Sequence, residues 1–358
     1  MGYRIEKCVW EITKACNFNC LHCGSSCGEA GRDELGTEEM LEVCRQLAEM
    51  KTGSIGITGG EPFLRKDWKL LLRFLGELKL SYGIVSNGML IEEETAEHLK
   101  SSCVKMVAVS LDGTREIHNR IRRADCFDRA AAALGLLRSY GIPTGVVTTL
   151  NRDNFTILHE MLEFLTEQEV EAWQLQLCFP MGNMKGNHDC LLRADEIKRI
   201  IDFAYECNQK DGVAIALADN IGYFTISEVH ARKRFSAGEG FPVWQGCNAG
   251  VRAVGILSNG DVTACTSIRS PEFVEGNLRE RSLKSIWEDP NAFAWRRELK
   301  AEQLKGYCGT CRYRDMCLGG CTNMRLLTEG SIYSENKYCV VPMLSEKIEK
   351  KNNFLNSP

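Results

Sequence analysis

Three cysteines within eight residues, Cys16, Cys20 and Cys23, are the first side chains here whose spacing suggests chemistry. Thiolates spaced x3 and x2 can hold three irons of a 4Fe–4S cluster and leave the fourth iron to a small molecule. A zinc ion with a distant fourth ligand is the plainer use of the same spacing. A second set follows: Cys247, Cys265, then Cys308-x2-Cys311-x5-Cys317-x3-Cys321, then Cys339. One Cys-x2-Cys would suit a zinc ribbon or a redox dithiol equally well. Seven cysteines in this order are a far more specific pattern. Between the two sets stands Gly59-Gly60-Glu61-Pro62. Its backbone carbonyls and the Glu61 carboxylate are suited to receiving an ammonium group, although a plain strand-to-helix turn would also explain the motif.

These residues need elements to position them. Residues 4–180 alternate between short apolar runs and amphipathic helices. Strands are expected at 4–12, 54–58, 83–86, 104–111, 144–150 and 172–179. Helices are expected at 37–50, 67–80, 93–100, 128–140 and 155–168, with Thr37 and Asp67 at the first two starts. Strand-then-helix units repeated in this way predict a parallel sheet with helices outside, an open partial (β/α)6 barrel of the TIM type. The Cys16–Cys23 loop then follows the first strand, at the C-terminal mouth where barrel sites lie. A polar Gly/Asn loop spans 181–192, a helix 194–209, and a bridge of uncertain structure 213–235. After Cys247 cysteine, glycine and turn residues dominate, with a hairpin signal at Ser258-Asn259-Gly260-Asp261. The plan is a barrel at 1–192, a bridging helical region at 193–246, a cysteine-rich domain at 247–345 and a polar tail at 346–358. The cysteine-rich domain is expected to need metal to complete its fold.

Composition narrows the function. The chain has 358 residues, 44 Lys+Arg against 48 Asp+Glu, and a net charge of −4. That balance argues against a general nucleic-acid binder. No apolar run approaches the ~18 residues of a membrane span, and the polar N-terminus is no signal peptide. Eighteen cysteines in a chain of this length fall below the roughly 8–10% of disulfide scaffolds. In a long chain without an export signal they point to reduced, metal-binding thiols and a cytoplasmic setting. Cys44 and Cys207 share apolar helix faces and are assigned to core. Cys126 and Cys178 lie nearer the barrel mouth, and packing remains the default for them. Cys8, Cys27, Cys103 and Cys190 complete the eight left over.

Taken together, Cys16-x3-Cys20-x2-Cys23 and Gly59-Gly60-Glu61-Pro62 resemble the radical S-adenosylmethionine (radical SAM) superfamily. The seven later cysteines, with Gly276-Asn277-Leu278 and Ile286-Trp287, resemble the SPASM domain attached to many such enzymes. The resemblance implies a SAM-binding 4Fe–4S cluster on Cys16, Cys20 and Cys23, with the methionine amine at Gly59, Gly60, Glu61 and Pro62. It implies adenine contact at the His22 backbone, ribose contact at Ser110, and a SAM carboxylate contact from Arg122 in His118-x3-Arg122. Ser86 and Asn87 end the third strand, and Asp112 follows Ser110, at matching places. Arg123 replaces the glycine that relatives often carry after the arginine. Gln176 and Leu177 lie near the expected sixth-strand adenine contact. Two auxiliary 4Fe–4S clusters are implied, one on Cys247, Cys265 and Cys321, the other on Cys308, Cys311, Cys317 and Cys339. The first lacks a fourth ligand, since Ala253 stands where sulfatase maturases carry a cysteine. Cys178, Cys190, an Asp or a substrate thiolate could complete it.

The function so implied is that of a maturase. A 5′-deoxyadenosyl radical would modify a ribosomally made peptide by crosslinking such as a thioether, by epimerisation or by excision. One alternative is a sulfatase-maturase-like formylglycine former. Thr266 in place of an aspartate base after Cys265, and His22 in place of an aromatic residue, count against it. Another is a tetrapyrrole or other small-molecule radical SAM enzyme. A non-catalytic electron-transfer protein is the reading from another class. The expected partners are a peptide or protein substrate, a reductant such as flavodoxin or ferredoxin, and a separate leader-recognition protein unless the bridge at 213–245 does that work. The sequence singles out no catalytic acid or base.

Overall fold

The computed structural model describes residues 2–235 and 246–345. The expected tail at 346–358 and the last part of the bridge, 236–245, lie outside the described residues. A single ten-stranded sheet organises the chain, in the order β10-β9-β8-β1-β2-β3-β4-β5-β6-β7. Its seven leading strands are β1 (Lys7–Glu11), β2 (Ser54–Thr58), β3 (Tyr82–Ser86), β4 (Met106–Ser110), β5 (Thr144–Leu150), β6 (Ala172–Leu177) and β7 (Ala214–Leu217). Each pairs in parallel with the next. The order is linear, so among the described residues β10 and β7 are the edges and the barrel is open.

The crossovers are α1 (Thr37–Glu49), α2 (Trp68–Glu77), α3 (Glu93–Ser101), α4 (Arg115–Arg122), α5 (Phe127–Ser139), α6 (Leu158–Glu167) and α7 (Ala194–Asn208), and α8 (Ile226–Lys233) follows β7. Parallel strands need such connections because their ends lie at opposite sides of the sheet. Alternate residues of each strand divide the work. Cys8 and Trp10 are buried toward the helices, whereas Lys7, Val9 and Glu11 line the barrel's inner cavity. Gln174 and Gln176 of β6 face inward in the same way.

Three details differ from the sequence expectations. The bridge contains a seventh strand, β7, whose Ala-Ile-Ala-Leu alternation buries only Ile215 and Leu217. Four residues are too few for periodicity to single out. Helix α4 was not anticipated, because a strongly charged eight-residue stretch shows little apolar face. Thr37 is the first helical residue of α1, not its cap. Gly36 holds the cap position and its N–H donates to Glu39 Oε2 at 2.7 Å, while the Thr37 hydroxyl donates to Asp67.

The predicted hairpin forms, but it is not detached from the barrel. β8 (Ala253–Ile256) pairs in parallel with β1, with Lys7 opposite Ala253 and Trp10 opposite Ile256. β9 (Asp261–Thr263) and β10 (Val274–Asn277) continue antiparallel. Gly260 takes the positive φ of 88° that the turn demands. Val254, Ile256, Val262 and Trp287 of α9 (Leu283–Trp287) join the main core, and the Trp287 indole donates to the Tyr3 carbonyl at 2.9 Å. Leu299, Leu304 and Cys308 form a separate small core. Among the described residues no helix is long and apolar enough to cross a membrane.

Candidate active site and auxiliary centres

The loop after β1 is tied down along its length. Gly60 N–H donates to Thr13 O and Glu61 N–H to Ala15 O, each at 2.7 Å. Cys16 N–H donates to Gly28 O at 2.7 Å and Asn183 N–H to Cys23 O at 2.9 Å. The Asn183 side chain reaches Cys20 O, and Asn87 reaches Asn17. Cys16, Cys20 and Cys23 thereby face a cavity of about 450 Å³ that runs down the barrel interior. His22, Gly59, Gly60, Ser86, Asn87, Ser110, Arg122, Gln176 and Leu177 line the same cavity.

The glycines follow from close approach. A Cβ on Gly60 would lie 2.2 Å from the Ala15 carbonyl oxygen, and one on Gly59 2.6 Å from that of Thr13. Gly60→Ala is therefore expected to push the cysteine loop away and cost the barrel site roughly four irons, leaving the C-terminal iron in place. An anaerobic iron count checks this, and full retention would show that the loop tolerates the displacement.

Glu61 is placed differently from the expectation. Its carboxylate is fully buried behind the turn and does not line the cavity. It accepts from Asn87 N–H at 2.8 Å, Ser86 Oγ at 3.0 Å and Phe63 N–H at 3.3 Å. Burial pushes it up to about 7. It thus ties the end of β2 to the end of β3, and the inward-facing part of this turn is the backbone of Gly59 and Gly60. Pro62 begins a buried turn of 3₁₀ helix and is also absent from the lining.

Asp112 has a larger role than a ribose-side turn. It is fully buried, and its Oδ2 takes both Arg122 Nε at 2.6 Å and His22 Nε2 at 2.8 Å. Its Oδ1 accepts from Thr149 N–H at 3.0 Å. Burial opposes ionisation, but the Arg122 and His22 charges outweigh it and hold this carboxyl well below the usual range. Arg122 also lies 3.8 Å from Cys20 Sγ. The expected SAM-carboxylate arginine is thus already committed to Asp112, with one edge on the cavity. The His22 ring is likewise taken up by Asp112, which fixes the backbone of the residue before Cys23.

His118 lies behind this group, outside the cavity. Its Nδ1 accepts from Asp112 N–H at 3.1 Å, and its Nε2 is 3.3 Å from Cys126 Sγ. Burial, then the Arg122 charge, lowers it to about 4. A histidine lowered from about 6.5 favours folding while neutral, and that advantage is lost as pH falls through 6.5 toward 4. Glu61, raised on folding, acts with the opposite sign over the range from its unfolded value up to about 7. The difference between the parent and His118→Gln isolates the histidine. It should shrink by about 2 kcal/mol between pH 7 and pH 5. Urea unfolding at both pH values measures it, and a constant difference would contradict the assignment.

Two features near the barrel loop were missed from the sequence. Cys27, assigned there to the remainder, donates its N–H to Cys23 Sγ at 3.5 Å, and its thiol bonds to the same sulfur. That bond draws Cys23 below the usual thiol range, whereas burial lifts Cys16 to about 11. Glu11, 2% exposed, is gripped in two places by Arg269, with Nη2 to Oε2 at 2.6 Å and Nη1 to Oε1 at 3.3 Å. Arg269 also bonds Ser25. With Thr266 and Ser267 it brings the segment after Cys265 into the cavity wall. A pairing across 258 positions leaves no local signal.

Cys308, Cys311, Cys317 and Cys339 line one pocket, with Tyr223, Phe224 and Tyr313 beside them. Burial raises Cys317 to about 12, and the Cys308 and Cys311 charges add to this. Cys321 is instead raised by burial and then by the Cys247 and Cys265 charges, which groups it with those two. Tyr223 stands between the groups. Its hydroxyl accepts Cys321 N–H at 3.0 Å and donates to Asp219 O at 3.0 Å. Asp219 is the carboxylate whose charge acts on Cys265. Cys178 and Cys190 pack with Met184 and Leu191 in a separate cluster.

Buried thiols that raise one another are the donor set a cationic centre reverses, since a coordinated thiol is deprotonated. Among the described residues no three His, Cys, Asp or Glu side chains close on a point suited to a single ion. The cysteine groups fit a larger group bridging thiolates. In the barrel, the cavity adds room for a small molecule beside Cys16, Cys20 and Cys23.

Comparison with known proteins agrees with this geometry. Residues 10–165 match the model of the radical SAM superfamily, and residues 247–312 match SPASM, an iron–sulfur cluster-binding domain. An AdoMet-dependent heme synthase of Methanosarcina barkeri is 28% identical, over 93% of this chain and 95% of that protein. The mycofactocin maturase MftC of Mycolicibacterium smegmatis is 28% identical, over 96% and 84%. Among solved structures, Streptococcus suis SuiB bound to its precursor peptide SuiA superposes with a TM-score of 0.76 at 19% identity, covering 93% of this chain and 75% of that one. Native anSMEcpe with bound AdoMet and a peptide gives 0.70 at 20%, covering 93% of each. The chain thus carries a radical SAM domain followed by a SPASM domain, and it is a radical SAM enzyme with SAM and 4Fe–4S clusters as its cofactors.

Proposed function

We propose that this enzyme is a maturase acting on a ribosomally made peptide. The observation that carries this reading is the cavity, whose wall joins the Cys16–Cys23 loop to Thr266, Ser267 and Arg269 from the SPASM segment. A side chain held there lies between the SAM site and the Cys247, Cys265 and Cys321 group. The similarity to a mycofactocin maturase over 96% of the chain supports the same substrate class.

In this reading Cys16, Cys20 and Cys23 hold the SAM-binding cluster. The Gly59 and Gly60 carbonyls receive the SAM amine, the Arg122 edge faces its carboxylate, and Ser110, Gln176 and the His22 backbone meet the nucleoside. A reduced cluster held there would supply one electron for cleavage of the SAM sulfonium C5′–S bond, giving methionine and a 5′-deoxyadenosyl radical. Asp112 keeps Arg122 charged and correctly oriented, and Glu61 holds the glycine turn against the loop. Cys308, Cys311, Cys317 and Cys339 hold one auxiliary cluster, and Cys247, Cys265 and Cys321 the other. In this reading the enzyme works in the cytoplasm with a flavodoxin or ferredoxin as reductant, and either a separate protein or the bridge at 213–245 recognises the peptide leader.

A second reading, radical chemistry on a tetrapyrrole or another small molecule, is favoured by the heme synthase matched over 95% of its length. The two separate in one experiment. The reconstituted enzyme is incubated with SAM and dithionite, and with either candidate precursor peptides encoded beside its gene or an iron porphyrin. A mass change in a peptide, coupled to 5′-deoxyadenosine, is expected. Conversion of the porphyrin with every peptide unchanged would replace the first reading by the second.

A further inference from the structure

Arg325 is a charge without an opposite charge. It lies on the helix Thr322–Glu329, one turn after Cys321, and is 0% exposed. Its guanidinium reaches only neutral acceptors: the Ile332 carbonyl, the Leu318 carbonyl at 3.1 Å and Thr322 Oγ1 at 3.3 Å. Its Nε is buried and has no partner. No carboxylate forms an ion pair with it among the described residues. Its contacts with Leu318, Gly319 and Thr322 place the guanidinium against the segment between Cys317 of one auxiliary set and Cys321 of the other, and the charges that act on it include sulfurs of both sets, Cys308, Cys247, Cys321 and Cys317. A Cβ on Gly319 would come within 2.8 Å of the guanidinium carbon, so the backbone there is bare to let the side chain through. Isolated burial of such a charge is costly unless an opposite charge compensates it.

We propose that Arg325 is the shared counter-charge of the two auxiliary centres, a positioning residue that holds their reduction potentials up. The inference rests on the reading that clusters occupy these cysteines. Three thiolates, as in the Cys247, Cys265 and Cys321 set, or four, as in the other, outweigh the charge of an oxidised 4Fe–4S core and leave it net negative, and reduction makes it more negative. A fixed cation whose charge acts on both sets therefore favours the reduced state of each. The low-dielectric surroundings keep that attraction unscreened by solvent. Arg296, also buried, donates Nε to the Cys247 carbonyl at 2.8 Å and fixes the backbone of one ligand from the other side.

The test uses full-length reconstituted protein carrying Cys16→Ala, Cys20→Ala and Cys23→Ala, so that only auxiliary signals remain. Potentials are read by electron-resonance redox titration for the parent, Arg325→Lys and Arg325→Met. In Arg325→Met the one-electron reduction constant should fall at least tenfold, about 59 mV, for both auxiliary signals. Arg325→Lys, which keeps the charge, should restore most of that loss. If Arg325→Met instead loses auxiliary iron, Arg325→Lys should recover it. Unchanged potentials in Arg325→Met overturn the proposal. So does a lysine variant that matches methionine, because the arginine would then serve only through its hydrogen bonds. A parent without auxiliary iron would refute the cluster reading itself.

Discussion

Replacing Asp112 by Ala is expected to destabilise the barrel by about 3–5 kcal/mol, the cost of stranding a buried charge. The carboxylate is fully buried and carries Arg122 and His22 on one oxygen, and Arg122 is itself 8% exposed. Removing the acid leaves the guanidinium without an ionic partner. The diagnostic variant is the double one. Asp112→Ala with Arg122→Met deletes both charges, and removing both partners of a buried pair is far less costly than removing one. It should recover most of the lost stability while SAM affinity stays low. Anaerobic urea unfolding gives the stability, and equilibrium dialysis with labelled SAM gives the affinity. A double variant as unstable as the sum of the single ones would mean that Asp112 acts through Thr149 and the backbone and not through charge.

The second large effect concerns Cys308→Ala. Four thiols, those of Cys308, Cys311, Cys317 and Cys339, meet in one pocket, and the small core around Leu299, Leu304 and Cys308 has few apolar side chains of its own. Metal binding there is expected to supply folding free energy directly. The sequence suggests that everything from 247 to 339 should loosen together. The structure narrows that expectation. β8 is in register with β1 and Trp287 sits in the main core, so residues 253–287 stay anchored without the cluster. Protease cleavage should concentrate between residues 300 and 345, as a locally unfolding unit. Unchanged resistance there would make the cluster dispensable to the fold. Cleavage spread evenly from residue 247 onward would mean the hairpin depends on it too.

What the sequence made legible was whatever depends on short spacing. The Cys16, Cys20 and Cys23 loop and the Gly59-Gly60 turn could be written down because each is a short motif whose meaning is fixed by the other's presence, whereas the seven later cysteines divide into two groups through the resemblance to a known domain and not through spacing alone. The helices that bury a broad apolar stripe, such as α1 and α2, were equally readable. β7 was hidden by its length and α4 by its charge. The roles of Glu61 and Asp112 were hidden for another reason. An acidic residue at a strand end reads as a ligand for the substrate's cation, and only the fold reveals that protein groups already occupy both carboxylates. Arg269 and Arg325 were invisible for the same reason, since each acts on residues far away in the chain or on several cysteines at once.

The central claim is that Cys16, Cys20 and Cys23 hold the cluster that cleaves SAM. The most direct test measures 5′-deoxyadenosine by chromatography after anaerobic incubation with SAM and dithionite, alongside iron content. The parent should carry roughly twelve irons and form the nucleoside, and the Cys16→Ala, Cys20→Ala, Cys23→Ala variant should keep about eight and form none. Nucleoside production by the triple variant, or none from a fully loaded parent, would contradict the account.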